Sequence, residues 1–174
     1  MNIFLERVIR ACKLEVALYE EVEADTSSLN QALAVVVFSS LAAGIGSLQF
    51  GMAGLVLGVF AALVGWVLWA LVVYLVGVKL LPEPQTNSDI KELLRVTGFA
   101  SAPGLIRMLG IVSFLNGLAV FVASLWMLAA MVIAVRQALD YQSTWRAVGV
   151  CLLGWILQAA ILAPLLIIFS PARP

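Results

Sequence analysis

Long apolar runs alternate with short polar segments along this chain, and the runs are too long for the elements of a soluble core. Residues 29–48, 52–81, 90–112, 117–139 and 145–169 are mostly apolar. Each has the ~20 residues that carry a helix across a ~30 Å hydrocarbon layer. The separators are rich in turn and capping residues: DTSSLNQ (25–31), SLQFGMAG (47–54), LPEPQTNSD (81–89), Asn116-Gly117 and DYQST (140–144). Upstream, Phe4, Val8, Ala11, Leu14, Leu18 and Val22 recur at helical spacing over 3–24, with Glu6, Arg7, Arg10 and Lys13 mostly on other faces. Residues 1–28 therefore read as a cytosolic or interfacial amphipathic helix, lying at the acyl boundary or against the protein's own loops. The pattern predicts an all-α fold: one membrane domain, 1–174, of five spans behind an amphipathic N-terminal helix. Four spans remain if residues 90–112 form a re-entrant or flat segment.

Charge placement orients the spans. With the N-terminus in the cytosol, Arg7, Arg10, Lys13, Lys79, Lys91, Arg95, Arg136 and Arg146 fall inside, against Arg107 and Arg173 outside. Cytosolic loops of membrane proteins carry such an excess of Lys and Arg. Removing the third span would strand Arg136 and Arg146 outside, so the asymmetry favours five. It predicts a cytosolic N-terminus and an external C-terminus.

Composition agrees and excludes several chemistries. The chain is 63% hydrophobic and 11% charged, against about half and a quarter in soluble domains. Its net charge is zero, with no basic run to suggest nucleic acid. Histidine, the usual haem ligand and neutral-pH base, is absent. Cys12 and Cys151 alone cannot build a four-ligand zinc or iron–sulfur site, nor a disulfide framework. Residues 1–25 hold Arg7, Arg10, Lys13 and several acids, so no uninterrupted secretory h-region opens the chain.

Motifs for chemistry are thin. GIGSLQFG (44–51) has Gln49 where a phosphate-loop fingerprint needs its third glycine, and no βαβ unit surrounds it. Ser47 has no histidine to activate it. Asp25, Asp89 and Asp140 all lie in separators, so no aspartyl pair forms within a span. No catalytic residue, metal ligand or cofactor is expected. Gly54, Gly58 and Ala62 make a small-xxx-small line suited to helix packing, internally or between copies. Trp66, Trp69, Trp126 and Trp155 fall near mid-helix, away from the interfaces that tryptophan favours. They supply packing bulk or line a groove for a lipid, quinone or pigment tail.

The most unusual stretch is TGFASAPGLIRMLG (97–110), with Ser101, Pro103, Gly104 and Arg107 in one apolar span. Pro103-Gly104 should kink that helix and free a carbonyl near residue 99, with Thr97 and Ser101 satisfying exposed backbone groups. Arg107 lies about 18 Å beyond Arg95 on an ideal helix, so it is expected to snorkel to the outer surface. Transporter sites use broken polar helices of this kind.

Three segments together resemble the bacterial branch of the Ypt-interacting protein (Yip) family: YEEVEADTSSLNQAL (19–33), RVTGFASAPGLIRMLG (95–110) and LAAMVIAVRQALDYQSTWRAVGVCLLGW (128–155). The resemblance covers about residues 7–170. It implies a five-span protein with a cytosolic N-terminus and a proline in the third span, here Pro103. Eukaryotic relatives act in vesicle traffic and bind Rab GTPases, but the DLYGP-type segment is missing here, so GTPase binding is not carried over. The resemblance assigns no reaction to any residue.

The expected function is that of a non-enzymatic membrane organiser, scaffold or accessory subunit in the bacterial inner membrane. Its partners are the bilayer and other membrane proteins or further copies. One alternative is a small transporter using Ser101, Arg107, Asn116 and Gln158. Another is a lipid- or cofactor-packing subunit of an energy-converting complex.

Overall fold

A computed structural model describes residues 2–45 and 51–168. The fold is all-α. Helices α1 (Ile3–Cys12), α2 (Val16–Ala24), α3 (Leu29–Ile45), α4 (Gly51–Val73), α5 (Ile90–Phe99), α6 (Asn116–Ala138) and α7 (Thr144–Ile168) follow one another, with no strand among the described residues. A π-helical turn, Tyr74–Leu80, extends α4, and a 3₁₀ helix, Ala102–Ile111, follows α5. Four stretches are long and apolar enough to cross a membrane: Thr26–Gly44, Met52–Leu80, Asn116–Ala138 and Thr144–Ile161. They match the expected first, second, fourth and fifth spans. Gln49, at the first external turn, and Arg173 lie outside the described residues.

The third expected span departs from the sequence reading. Residues 90–112 do not form one helix. The α-helix starts with a capping box, in which Asp89 accepts from the Glu92 N–H at 2.8 Å and Glu92 accepts from the Asp89 N–H at 2.9 Å. It ends at Phe99, four residues before Pro103. Proline has no N–H to return to residue 99, and its ring clashes with that carbonyl in an α-helix. The chain tightens instead, with Ser101 N–H donating to Gly98 at 3.1 Å and Gly104 N–H to Ser101 at 3.0 Å. This i→i+3 winding is 3₁₀ and continues to Ile111.

The N-terminal amphipathic segment is likewise two helices. Leu14 breaks it with φ 61°, a left-handed conformation unusual for a leucine. The expected stripe survives the break: Val8, Ala11, Leu18 and Val22 are buried, while Phe4 and Leu14 are half-buried. The opposite side of α1 leaves Ile3, Leu5 and Ile9 exposed.

Ion pairs fold α1 back on α2. Arg7 Nε meets Glu21 at 2.9 Å and its terminal nitrogen meets Asp25 at 2.8 Å. Arg10 bridges Glu15 and Glu21. The bond from Arg10 draws the Glu21 carboxyl below its ordinary pKa. Arg95, expected to mark the inner surface, is buried. Its Nε donates to the Val22 carbonyl at 3.0 Å and its Nη2 to Glu23. It thus closes the C-terminal carbonyls of α2 from a different helix.

Candidate functional site

The third segment positions the site because of where it packs closely and where it does not. A Cβ added at Gly98 would sit 2.7 Å from the Ala32 Cβ and 3.1 Å from the Ala32 carbonyl. One at Gly104 would collide with Ser39 Oγ and lie 2.9 Å from Met127 Sδ. Two glycines therefore press this segment onto α3 and α6. Small residues play this part in membranes, where close backbone approach supplies the packing energy.

Beside these contacts, toward α4, space is left, and both Ser39 and Met127 line it. A cavity of about 510 Å³ lies between α3, α4, the third segment and α6. Its volume falls in the range of small-ligand pockets. Gly54, Gly58 and Ala62 line it from α4. A Cβ added at Gly58 would meet nothing within 4 Å. The proposed packing line thus makes no internal helix–helix seam at Gly58; its missing side chains leave a cavity wall. The close internal seam runs along Gly98 and Gly104, which sequence spacing did not single out.

Of the four mid-helix tryptophans, three border the open space and Trp126 does not. Trp66 and Trp69 line this cavity, and Trp69 and Trp155 line a neighbouring one of about 320 Å³. Trp66 Nε1 donates toward the Leu94 carbonyl and Thr97 Oγ1, each at 3.2 Å. Trp69 stacks on Trp155 with ring centroids 5.9 Å apart. Anchored indoles of this kind give fixed apolar walls.

Arg107 borders both cavities. Its Nε is buried and has no hydrogen-bond partner among the described residues, while the residue as a whole is half-buried. All ten acids of the chain lie in or beside its polar segments, and no acid lines either cavity. The cause is local. In a 3₁₀ helix residues three apart eclipse, so Arg107 shares the face of Gly104, which packs inward on Ser39 and Met127.

The hydroxyls divide into committed and uncommitted groups. Thr97 Oγ1 donates to the Leu93 carbonyl at 2.6 Å, and Ser101 Oγ reaches the Thr97 carbonyl at 3.4 Å. Ser40 donates to Val37 at 2.8 Å. Ser39 is buried, lines the larger cavity and makes no hydrogen bond among the described residues. Gln158 borders the smaller cavity and donates to the Gly65 carbonyl at 3.3 Å. Asn116 lies apart, against Gly110. The transporter set of Ser101, Arg107, Asn116 and Gln158 is therefore not one cluster.

At the opposite end of the bundle the polar groups serve the loops. Tyr141 Oη lies 2.7 Å from the Leu81 carbonyl and 3.0 Å from that of Gly77, closing the π-helical end of α4. Arg146 pairs with Glu83 at 3.3 Å. Burial, with the charges of Asp140 and Glu92 beside it, raises the Glu23 carboxyl to about 7. No group of three or more acidic or cysteine side chains among the described residues is arranged to hold a metal.

Comparison with known proteins gives one match: the family model described as the Yip1 domain covers residues 17–169. No curated protein and no solved structure matches the chain.

Proposed function

The chain belongs to the Yip1 domain family, and from that premise we propose a five-span, non-enzymatic membrane subunit that holds an apolar chain of a bilayer amphiphile in its interior. The five-span part is supported by the register of the third segment. Gly98 abuts Ala32 and Gly104 abuts Ser39, so the segment runs parallel to α3. Against α6 it runs antiparallel, with Gly104 beside Met127 and Gly110 beside Asn116. Ten residues of α-helix at ~1.5 Å and ten of 3₁₀ at ~2.0 Å make about 35 Å, enough for a ~30 Å layer. The charge asymmetry supports a cytosolic N-terminus, with its ion-paired α1 and α2. The exposed Ile3, Leu5 and Ile9 of α1 suit the interface beside it.

The observation that carries the hosting role is the cavity whose α4 wall runs from Gly54, Gly58 and Ala62 to Trp66 and Trp69. An apolar occupant would gain dispersion contacts along the mostly apolar lining. Lipid tails are the apolar groups at hand in a bilayer. The test is native mass spectrometry of protein released gently from membranes, comparing the wild type with Gly58→Leu. The leucine enters open space, so the fold should persist while retained lipid is lost. Equal lipid retention by both would refute the hosting role.

A further inference from the structure

We infer that Arg107 and Ser39 form a head-group site for an anionic amphiphile, with the oxyanion head held at Arg107 and the tail against Trp66, Trp69 and Met131. The inference rests on the hosting role and names what the cavity selects.

Arg107 is a half-buried positive charge bordering two cavities that no acid lines. Its Nε is buried and unpartnered among the described residues. A lone cation within a membrane protein is costly and calls for an anion. The guanidinium is suited to phosphate and carboxylate because its planar donors bind two oxygens at once. Ser39 supplies a second donor. Its Oγ lies against Gly104, one 3₁₀ turn before Arg107 on the same face, and its hydroxyl is uncommitted among the described residues. The neighbouring hydroxyls of Ser40, Thr97 and Ser101 are spent on backbone carbonyls.

Depth separates head from tail. Gly104 is level with Ser39 on α3, and Arg107 continues toward the end of the bundle where Gly44 meets Leu55. By the charge asymmetry this is the outer half. Trp66, Trp69 and Met131 lie toward the other end, where Trp66 bonds to Leu94 and Thr97 and Trp69 to the Met131 sulfur. Both ends belong to one continuous lining. An amphiphile whose oxyanion meets Arg107 thus finds apolar wall for its tail. The shared chemistry is an oxyanion on an acyl chain, and both phosphate-headed lipids and fatty acids offer it.

Delipidated protein is offered phosphatidic acid, diacylglycerol with the same chains, a long-chain fatty acid, or inorganic phosphate, and retention is read by native mass spectrometry. The wild type should hold phosphatidic acid at least about tenfold better than diacylglycerol, the worth of one hydrogen bond to a charged group. Arg107→Gln should erase that preference without changing diacylglycerol retention, Arg107→Lys should keep most of it, and Ser39→Ala should lower it partly. A thermal melt of each variant confirms that the fold persists. Fatty acid retained as well as phosphatidic acid places a carboxylate in the site and supports the inference. Displacement of phosphatidic acid by inorganic phosphate would show a free-anion site and overturn the amphiphile. Equal retention of phosphatidic acid and diacylglycerol by the wild type, or an unchanged preference in a folded Arg107→Gln, would overturn the inference while leaving the hosting role intact. Retention of no lipid by the wild type would overturn both.

Discussion

Adding one methyl group at Gly98 or at Gly58 should have opposite consequences, although both glycines lie in apolar helices. At Gly98 the new Cβ would stand 2.7 Å from the Ala32 Cβ, 3.1 Å from its oxygen and 3.2 Å from its carbonyl carbon. Two of these neighbours are backbone atoms of α3 and cannot rotate away, so the helices must separate by a few tenths of an ångström. Overpacking of this kind costs about 1–3 kcal/mol. The gain in helix propensity from glycine to alanine returns at most ~1 kcal/mol. At Gly58 nothing lies within 4 Å, so the propensity gain stands alone. With a mid-range cost of about 2 kcal/mol less a gain of at most ~1, and about 2–4 °C per kcal/mol for a chain of this size, Gly98→Ala should lower the melting temperature by roughly 2–8 °C. Gly58→Ala should leave it unchanged or raise it slightly. The assay is fluorescence-monitored thermal unfolding in one detergent, with monodispersity checked before heating. A Gly58→Ala variant that melts lower than Gly98→Ala would refute the assignment of seam and cavity wall.

Three further outcomes follow from the structure. With Cys12 and Cys151 replaced by serine, single cysteines at Gln85 and Gln142 should label only from the cytosol and one at Phe114 only from outside; labelling of positions 85 and 114 from the same side would show that the third segment does not cross and would refute the five-span count. Glu23 is raised to about 7 by burial and by neighbouring acids, so its contribution is fully present below its unfolded value near 4.5 and is lost as pH rises through about 7; Glu23→Gln should flatten that decline in melting temperature, and a parallel decline in the variant would exclude Glu23 as its source. Arg95→Met removes the donors to Val22 and Glu23, so hydrogen exchange should quicken in α2 and the melting temperature should fall by several degrees, whereas unchanged protection of residues 16–24 would show that α2 does not depend on Arg95.

What could be read from the sequence depended on the range of the interaction. Span lengths depend on local hydropathy, and helices near 29–45, 51–80, 116–138 and 144–168 appear close to where the apolar runs place them. The capping box at Asp89 and Glu92 is equally local. Pro103 signalled a disturbance, but a kinked α-helix and a ten-residue 3₁₀ helix satisfy the same missing N–H. The choice between them depends on what Gly104 packs against, which lies 65 residues away at Ser39. Gly54, Gly58 and Ala62 show the converse failure. Small residues at four-residue spacing permit close approach but do not compel it, and here no neighbouring helix fills the space at Gly58. Arg95 and Arg107 are both single arginines in one segment. Arg95 donates to two backbone carbonyls that no sequence rule would pair with it. Arg107 turns inward because 3₁₀ winding replaces the 100° step of an α-helix with about 120°.

The cavity and the unpaired arginine have a common origin in that winding. A 3₁₀ helix is longer and thinner than an α-helix of equal residue number. Ten residues from Ala102 to Ile111 therefore cover more depth while occupying less width. Gly104 uses the reduced width to seat the segment on α3 and α6, and nothing comparable draws α4 after it. Trp66 and Trp69 bring bulk from α4 at one end of the gap, but Gly54, Gly58 and Ala62 bring none along the rest of it. An α-helical third span would be broader and would turn residue 107 to a different face. The sequence thus combines a proline that forces the tight winding, a glycine that fixes its side, small residues on α4 that leave space beside that side, and an arginine that borders the space. Each is tolerable alone in a membrane helix. Together they leave a positive charge in an apolar space, an arrangement that an anionic amphiphile would complete.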